Sequence, residues 1–164
     1  SRVKRKPVLK SKDRIIVRKA MKSDSFEVLD WRNDHVARDA SLNSHVIQKA
    51  DHDRWFSSAI SKKRHLCLIG EHNADKIGIV NFEQFQSKHW QVSINLNPEF
   101  RGLGFGALLL RNAGINLIKI NGLPCIMHAV VKGKNYASKK IFERCGYTLK
   151  KIENGNYCYE YQCE

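Results

Sequence analysis

The residues best suited to chemistry in this chain lie at Arg101-Gly102-Leu103-Gly104-Phe105-Gly106-Ala107, where three glycines recur at spacing two directly before an apolar helical pattern. Glycine allows left-handed backbone angles and close approach to a ligand. A helix beginning behind such a turn aims unpaired N–H groups and its positive dipole end outward, which favours an anion, and Arg101 adds a cation beside it. That is the chemistry of a phosphate or pyrophosphate cradle. A tight strand-to-helix connection would use the same glycines, so the stretch alone leaves both readings open. Two other phosphate loops are excluded. Ala107-Leu108 stands where a Walker loop needs Lys-Ser/Thr, and position 107 lacks the third glycine of a dinucleotide fingerprint.

The segment before the loop, His89–Leu96, alternates strictly. Trp90, Val92, Ile94 and Leu96 share one face of a strand, and His89, Gln91, Ser93 and Asn95 share the other. That polar face is the natural place for proton transfer: His89 is a side-chain type able to act as a base near neutral pH, and Ser93 can orient a water. A histidine merely exposed at a strand end fits the same letters.

The elements that must position these groups follow from periodicity. Arg14–Ala20 is β-branched at its centre and reads as a first strand. Ser23 or Asp24 can cap a helix over 25–33, followed by a polar, turn-rich stretch from Trp31 to Asn43 that carries Arg32 and Arg38. Asp51 is expected to cap a second helix to Ile60, with Trp55, Ala59 and Phe56, Ile60 at i,i+4. Strands are expected at 65–69, 76–82 and 89–96, and a helix from the glycine turn to about Gly122. A strand at 125–131, a helix at 135–144 and strands at 147–151 and 156–162 complete the order, the last two joined by the turn Glu153-Asn154-Gly155. There is no internal repeat or low-complexity segment.

The length of 164 residues suits one domain with a real core, and no apolar run approaches the roughly 20 residues needed to span a bilayer. The basic N-terminus lacks the apolar region of a secretory signal. Five cysteines, an odd number with no Cys-x-x-Cys pair, argue against a zinc site or disulfide framework and make a reducing cytoplasm the expected home. The formal charge of +13 is uneven: residues 1–22 hold ten Lys/Arg and one Asp. The excess is a flank and not a basic stripe interleaved with aromatics, so a solvated arm is favoured over one that binds nucleic acid, and a linker from a longer polypeptide is a third reading.

Two motifs resemble the GNAT superfamily of acyl-CoA-dependent N-acetyltransferases. Arg101–Gly106 is similar to its Arg/Gln-x-x-Gly-x-Gly/Ala pyrophosphate loop. Some thirty residues later, Asn135-Tyr136-Ala137-Ser138-Lys139-Lys140-Ile141-Phe142-Glu143-Arg144-Cys145-Gly146-Tyr147 is similar to its Asn-x-x-Ser/Ala-x-x-x-Phe/Tyr-x-x-x-Gly-Phe/Tyr signature. The order of elements is also that family's. The resemblance implies an α+β, three-layer fold. Its mixed, mostly antiparallel sheet would have six to seven strands flanked by about four helices, splayed at the acetyl-CoA site. A basic arm or linker at 1–12 would precede a domain at 13–164. It implies acetyl-CoA as co-substrate, with the pyrophosphate on the loop from Arg101 and Gly102 through Leu103, Gly104, Phe105, Gly106 and Ala107. The pantetheine would lie along Ile94–Leu96, with Asn135 and Ser138 beside it. Asn135 also fits as a plain helix N-cap. No metal is implied.

A narrower resemblance joins Trp31-Arg32-Asn33, Arg38-Asp39-Ala40-Ser41, Ile47 and His52-Asp53-Arg54-Trp55-Phe56 to bacterial sugar-nucleotide acetyltransferases of the pseudaminic-acid type, which act on a UDP-linked 4-amino sugar. It implies that Arg32 and His52 pair with a diphosphate and that Trp31 or Trp55 supplies an apolar wall, although Trp55 and Phe56 also fit as core anchors. Two positions depart from the family. Gln91 stands where many relatives carry a carboxylate, and Phe142 stands where a tyrosine commonly protonates the leaving thiolate. A peptide N-acetyltransferase of the ribosomal-protein type and a non-catalytic acyl-CoA-binding domain are the competing readings. The protein is expected to be a monomer or homodimer.

Overall fold

The computed structural model describes residues 14–164; the arm expected at 1–12 lies outside them. Among the described residues, seven strands and five α-helices follow one another in the order β1 (Ile16–Lys19), α1 (Ser25–Asn33), α2 (His35–Ala40), α3 (Lys49–Ser61), β2 (His65–His72), β3 (Asp75–Gln86), β4 (His89–Leu96), α4 (Phe105–Asn121), β5 (Cys125–Lys132), α5 (Tyr136–Arg144), β6 (Thr148–Glu153) and β7 (Asn156–Cys163). The strands form one sheet in the order β1-β2-β3-β4-β5-β7-β6, antiparallel except between β4 and β5. The mixed, mostly antiparallel sheet expected from the sequence is present.

Three expectations are corrected. The stretch after Trp31 is not a turn alone: Asp34 accepts from the Ala37 amide at 3.1 Å and nucleates the short helix α2. α3 begins at Lys49, with Gln48 and not Asp51 at its N-cap. β2 and β3 run on past their expected ends to a tight turn at Asn73-Ala74, both with positive φ.

The sheet is buried on both faces, but unevenly. On one face α4 lays Leu109, Leu110, Ala113 and Leu117 against Leu68, Val80, Phe82, Trp90, Val92, Met127 and Ala129, and Phe142 of α5 joins Tyr147 and Tyr159 there. On the other, Val28 and Trp31 of α1 and Phe56 and Ala59 of α3 cover Cys67, Ile69 and Ile79. The five cysteines are free thiols, and no described helix is long and apolar enough to cross a membrane.

The entry to α1 is fixed by charge. Asp24, 0% exposed, accepts from Arg18 Nη1 and Nη2 at 2.8 and 2.9 Å, from Lys76 Nζ at 2.8 Å and from the Met21 amide at 2.7 Å. Arg18 also reaches Glu71, and Lys76 reaches Glu27, both within 2.8 Å. The cluster ties β1, β3 and the start of α1 together, which sets where α1 delivers Arg32. Burial opposes ionisation of Asp24, but the Arg18, Lys76 and Met21 hydrogen bonds outweigh it and hold the carboxyl well below its ordinary range. A carboxylate so depressed contributes stability in full above its unfolded pKa of about 4 and loses it as pH falls further. Asp24→Asn should therefore cost about 3 kcal/mol in urea unfolding at pH 7 and progressively less towards pH 2. An equal loss at both pH values would assign the cost to packing instead of charge.

Candidate active site

β4 and β5 are hydrogen-bonded neighbours only over His89–Gln91 and Ile126–His128. Beyond those three pairs the strands part. Val92–Leu96 stays paired to β3 on its far side, and Ala129–Lys132 to β7 on its own. The facing edges open into a cleft of about 410 Å³, walled by Val92–Leu96, by Val130–Lys132, by Asn135, Ser138, Ile141 and Phe142 of the α5 segment, and by α2 and the segment after it. Backbone N–H and C=O groups on these edges need partners, so the cleft offers a strand-like ligand a ladder to join. Ile94, Leu96, Asn135 and Ser138, four of the expected cofactor contacts, all line it.

The glycine loop begins where Arg101 meets this cleft. Asn97 stops β4: its side chain accepts from the Glu99 amide at 3.1 Å and donates to the Lys76 carbonyl at 2.9 Å. Gly102 and Gly104 then take φ of 70° and 84°, the left-handed region that side chains avoid. Gly104 occupies the N-cap of α4 and brings no capping side chain, so the first-turn amides of α4 receive none. Phe105 turns its ring inward against Phe100 and His72, at 5.3 and 5.0 Å, so the ring is closed to a ligand. Gly106 also has a packing part. A Cβ there would lie 2.4 Å from Ile141 Cδ1, so this glycine allows α5 to pack on α4.

α2 is clasped across the cleft. Arg101 Nη2 donates to Asp34 at 2.8 Å, Lys132 Nζ to the Asp39 carbonyl at 3.1 Å, and Asn135 Nδ2 to the Ala40 carbonyl at 3.3 Å. Burial opposes ionisation of Asp34, but hydrogen bonds from Arg101 and Ala37 outweigh it and hold the carboxyl below its ordinary range. Asn135 also caps α5, accepting from the Ser138 amide at 3.1 Å, so it is both a cap and a wall of the cleft. Asn33 exchanges two 2.8 Å hydrogen bonds with the backbone of Ile47, and Arg38 donates to the Asn33 carbonyl at 3.1 Å, bracing the segment that closes this side. Asn33, Asp34 and Lys132 were not among the expected site residues. The Asp34 cap followed by His35–Ala40 is the signal that could have found α2.

The expected acceptor residues divide. Arg32 lines the cleft. Trp31 and His52 do not: they are 3% and 0% exposed, so neither presents a surface to a ligand. Trp31 packs against Val28, Phe56 and Ile69, because the helical period turns it to the sheet while Arg32, one residue on, turns to the cleft. His52 points inward from α3, accepting from Arg32 Nη1 at 3.0 Å and donating from Nε2 to the Ser25 carbonyl at 2.9 Å. Trp55 is the indole that meets Arg32, its ring centroid 4.6 Å from the guanidinium carbon.

The proton-transfer candidates also divide. Ser93 is exposed on the cleft wall. His89 sits at the closed end of the split, outside the cleft lining, with its Nδ1 2.8 Å from His128 Nε2 and the two rings stacked at 5.1 Å. Burial lowers the pKa of His128, reinforced by His89 and opposed by Glu160. Phe142 is 2% exposed, packed edge-on to Tyr147 at 4.9 Å on the cleft floor. Tyr147, its aromatic neighbour, is fully committed to the core: its hydroxyl meets Met127 Sδ at 3.3 Å, and burial drives its pKa far upward. Among the described residues no group of three or more His, Cys, Asp or Glu side chains is placed to hold a metal.

The architecture has solved counterparts. A spermidine N-acetyltransferase from Vibrio cholerae, in complex with CoA and spermine, superposes with a TM-score of 0.78 at 15% identity, covering 90% of this chain and 95% of that one. The Salmonella typhimurium protein yncA with its cofactor acetyl-CoA gives 0.74 at 20% identity, covering 91% and 94%. An aminoglycoside acetyltransferase in complex with coenzyme A gives 0.78 at 14% identity, covering 91% and 95%. At these identities the likeness is one of fold. Among curated proteins none matches the chain. The sequence family described as the acetyltransferase (GNAT) domain matches residues 14–148, most of the chain and the whole of both motifs. The protein therefore belongs to the GNAT family and is an acyl-CoA-dependent N-acetyltransferase.

Proposed function

We propose that the protein transfers the acetyl group of acetyl-CoA to a primary amine on a small anionic acceptor, a nucleotide-linked amino sugar. The observation that carries this reading is the cleft between β4 and β5. It begins beside an uncapped helix N-terminus, and its described lining residues include Arg32, Arg101 and Lys132 and no Asp or Glu; of the three, Arg101 is ion-paired with Asp34 at 2.8 Å. The amides of Leu103, Gly104, Gly106 and Ala107 suit a pyrophosphate, and the free edge at Ile94–Leu96 suits the pantetheine amides. Asn135 and Ser138 flank the same arm. Bound acetyl-CoA supplies an activated acetyl thioester.

The acceptor enters between α2 and β5, past Arg32. Spermidine and aminoglycosides, the acceptors named for two of the similar structures, are polycations. They call for carboxylates, and this wall offers arginine and lysine. The diphosphate of a nucleotide sugar complements it. Ser93, exposed on the wall, orients a water that takes the amine proton, and His89 stands further along the same polar face. With Phe142 in place of a tyrosine, the thiolate leaves without a phenolic donor at that position of α5.

Three outcomes test this reading. Gly104→Glu puts a carboxylate into the anion cradle and forces a left-handed angle on a side chain, and should abolish CoA binding in calorimetry; retained affinity overturns the loop's role. In a thiol-release assay with acetyl-CoA, UDP-4-amino-4,6-dideoxy sugars should turn over and spermidine should not. In that assay Arg32→Ala should raise the sugar-nucleotide KM at least tenfold while CoA affinity stays unchanged. Turnover of spermidine or a peptide amine without turnover of the sugars would refute the acceptor assignment.

A further inference from the structure

Arg32 is held in the cleft wall by a partner that cannot neutralise it. Among the described residues no carboxylate pairs with its guanidinium; its contacts are His52 Nδ1 at 3.0 Å and the Trp55 ring at 4.6 Å. Arginine has only donors, so His52 Nδ1 must supply a lone pair and the ring proton must sit on Nε2, 2.9 Å from the Ser25 carbonyl oxygen. The ring is 0% exposed and stacks on Phe56 at 5.5 Å, so it has no room to turn.

We infer that His52 is a positioning residue: a neutral acceptor locked in one tautomer, which fixes the Arg32 guanidinium towards the cleft and leaves its full charge for an anionic group of the acceptor. The inference rests on the proposed role of Arg32. A carboxylate at position 52 would fix the guanidinium equally well but would neutralise it. An aliphatic residue would leave its charge intact and its rotamers free, so that binding would have to order them. The surrounding groups keep His52 neutral. Burial lowers its pKa first, Arg32 on α1 lowers it further and Lys49 on its own helix adds to this, while the Ser25 carbonyl and Asp53 oppose them. Protonation at acid pH would remove the acceptor from Nδ1 and turn Arg32 away.

Asparagine and glutamine at position 52 separate this role from a merely structural one. The amide oxygen of Asn reaches where Nδ1 lies and restores the bond to Arg32, whereas the Gln amide reaches where Nε2 lies and restores only the bond to Ser25. With UDP as the probe in calorimetry, His52→Gln should weaken binding about tenfold and His52→Asn should stay within about threefold of the unaltered protein, with CoA affinity unchanged in both. Equal losses in the two variants, or none in either, overturn the proposal. Nitrogen NMR of the His52 ring provides a readout independent of the acceptor. It should show the proton on Nε2 and a ring pKa that rises in Arg32→Ala. A proton on Nδ1, or a pKa unmoved by Arg32→Ala, overturns the positioning itself. If the unaltered protein fails to bind UDP while the ring behaves as expected, the acceptor reading falls and the positioning of Arg32 stands.

Discussion

Three parallel pairs between β4 and β5 are the constraint on which the rest of the site depends. A sheet that continued its ladder through Val92–Leu96 and Ala129–Lys132 would satisfy its backbone internally and leave no room for a ligand. By parting after three residues the strands keep their outer pairings and expose their inner edges. Everything placed around the cleft responds to that opening: the glycine loop at one end, α5 along one wall and α2 across the other.

The walls are held by contacts that are mostly polar, and this is a physical consequence of the split. Where the sheet closes, apolar residues from α4 and β4 weld the two halves. Where it opens, side chains reach across instead, as in Arg101 to Asp34, Lys132 to Asp39 and Asn135 to Ala40. Such bonds are individually modest and exchange readily with a ligand's own groups. The arrangement suits a cleft that must be ordered when empty and still admit a cofactor arm. α1 is different: Asp24, buried between Arg18 and Lys76, fixes its entry to the sheet and so fixes the place of Arg32.

Electrostatics and packing divide the adjacent residues Trp31 and Arg32 between two tasks. One residue of helical rotation sends the indole into the core and the guanidinium to the cleft. His52, brought from α3, completes the second task without presenting any surface of its own. The same separation of roles runs through the loop. Gly102 and Gly104 supply backbone angles, whereas Gly106 supplies the space in which Ile141 of α5 packs.

The sequence by itself determined the elements and the loop. Strict alternation located β4 to the residue, the Asn154-Gly155 pair marked the β6–β7 turn, and Asn135 marked the start of α5, because turn chemistry, capping and period are set by neighbours along the chain. The likeness of two short motifs was enough to place the family. The short helix α2 was missed because six polar-rich residues carry almost no periodicity, and only its clasp to Arg101, Lys132 and Asn135 gives it a reason to form. Which side of a residue is covered depends on chains that arrive from elsewhere. For that reason the burial of His52 and Trp31, the distance of His89 from the cleft and the packing role of Gly106 were decided by tertiary structure alone.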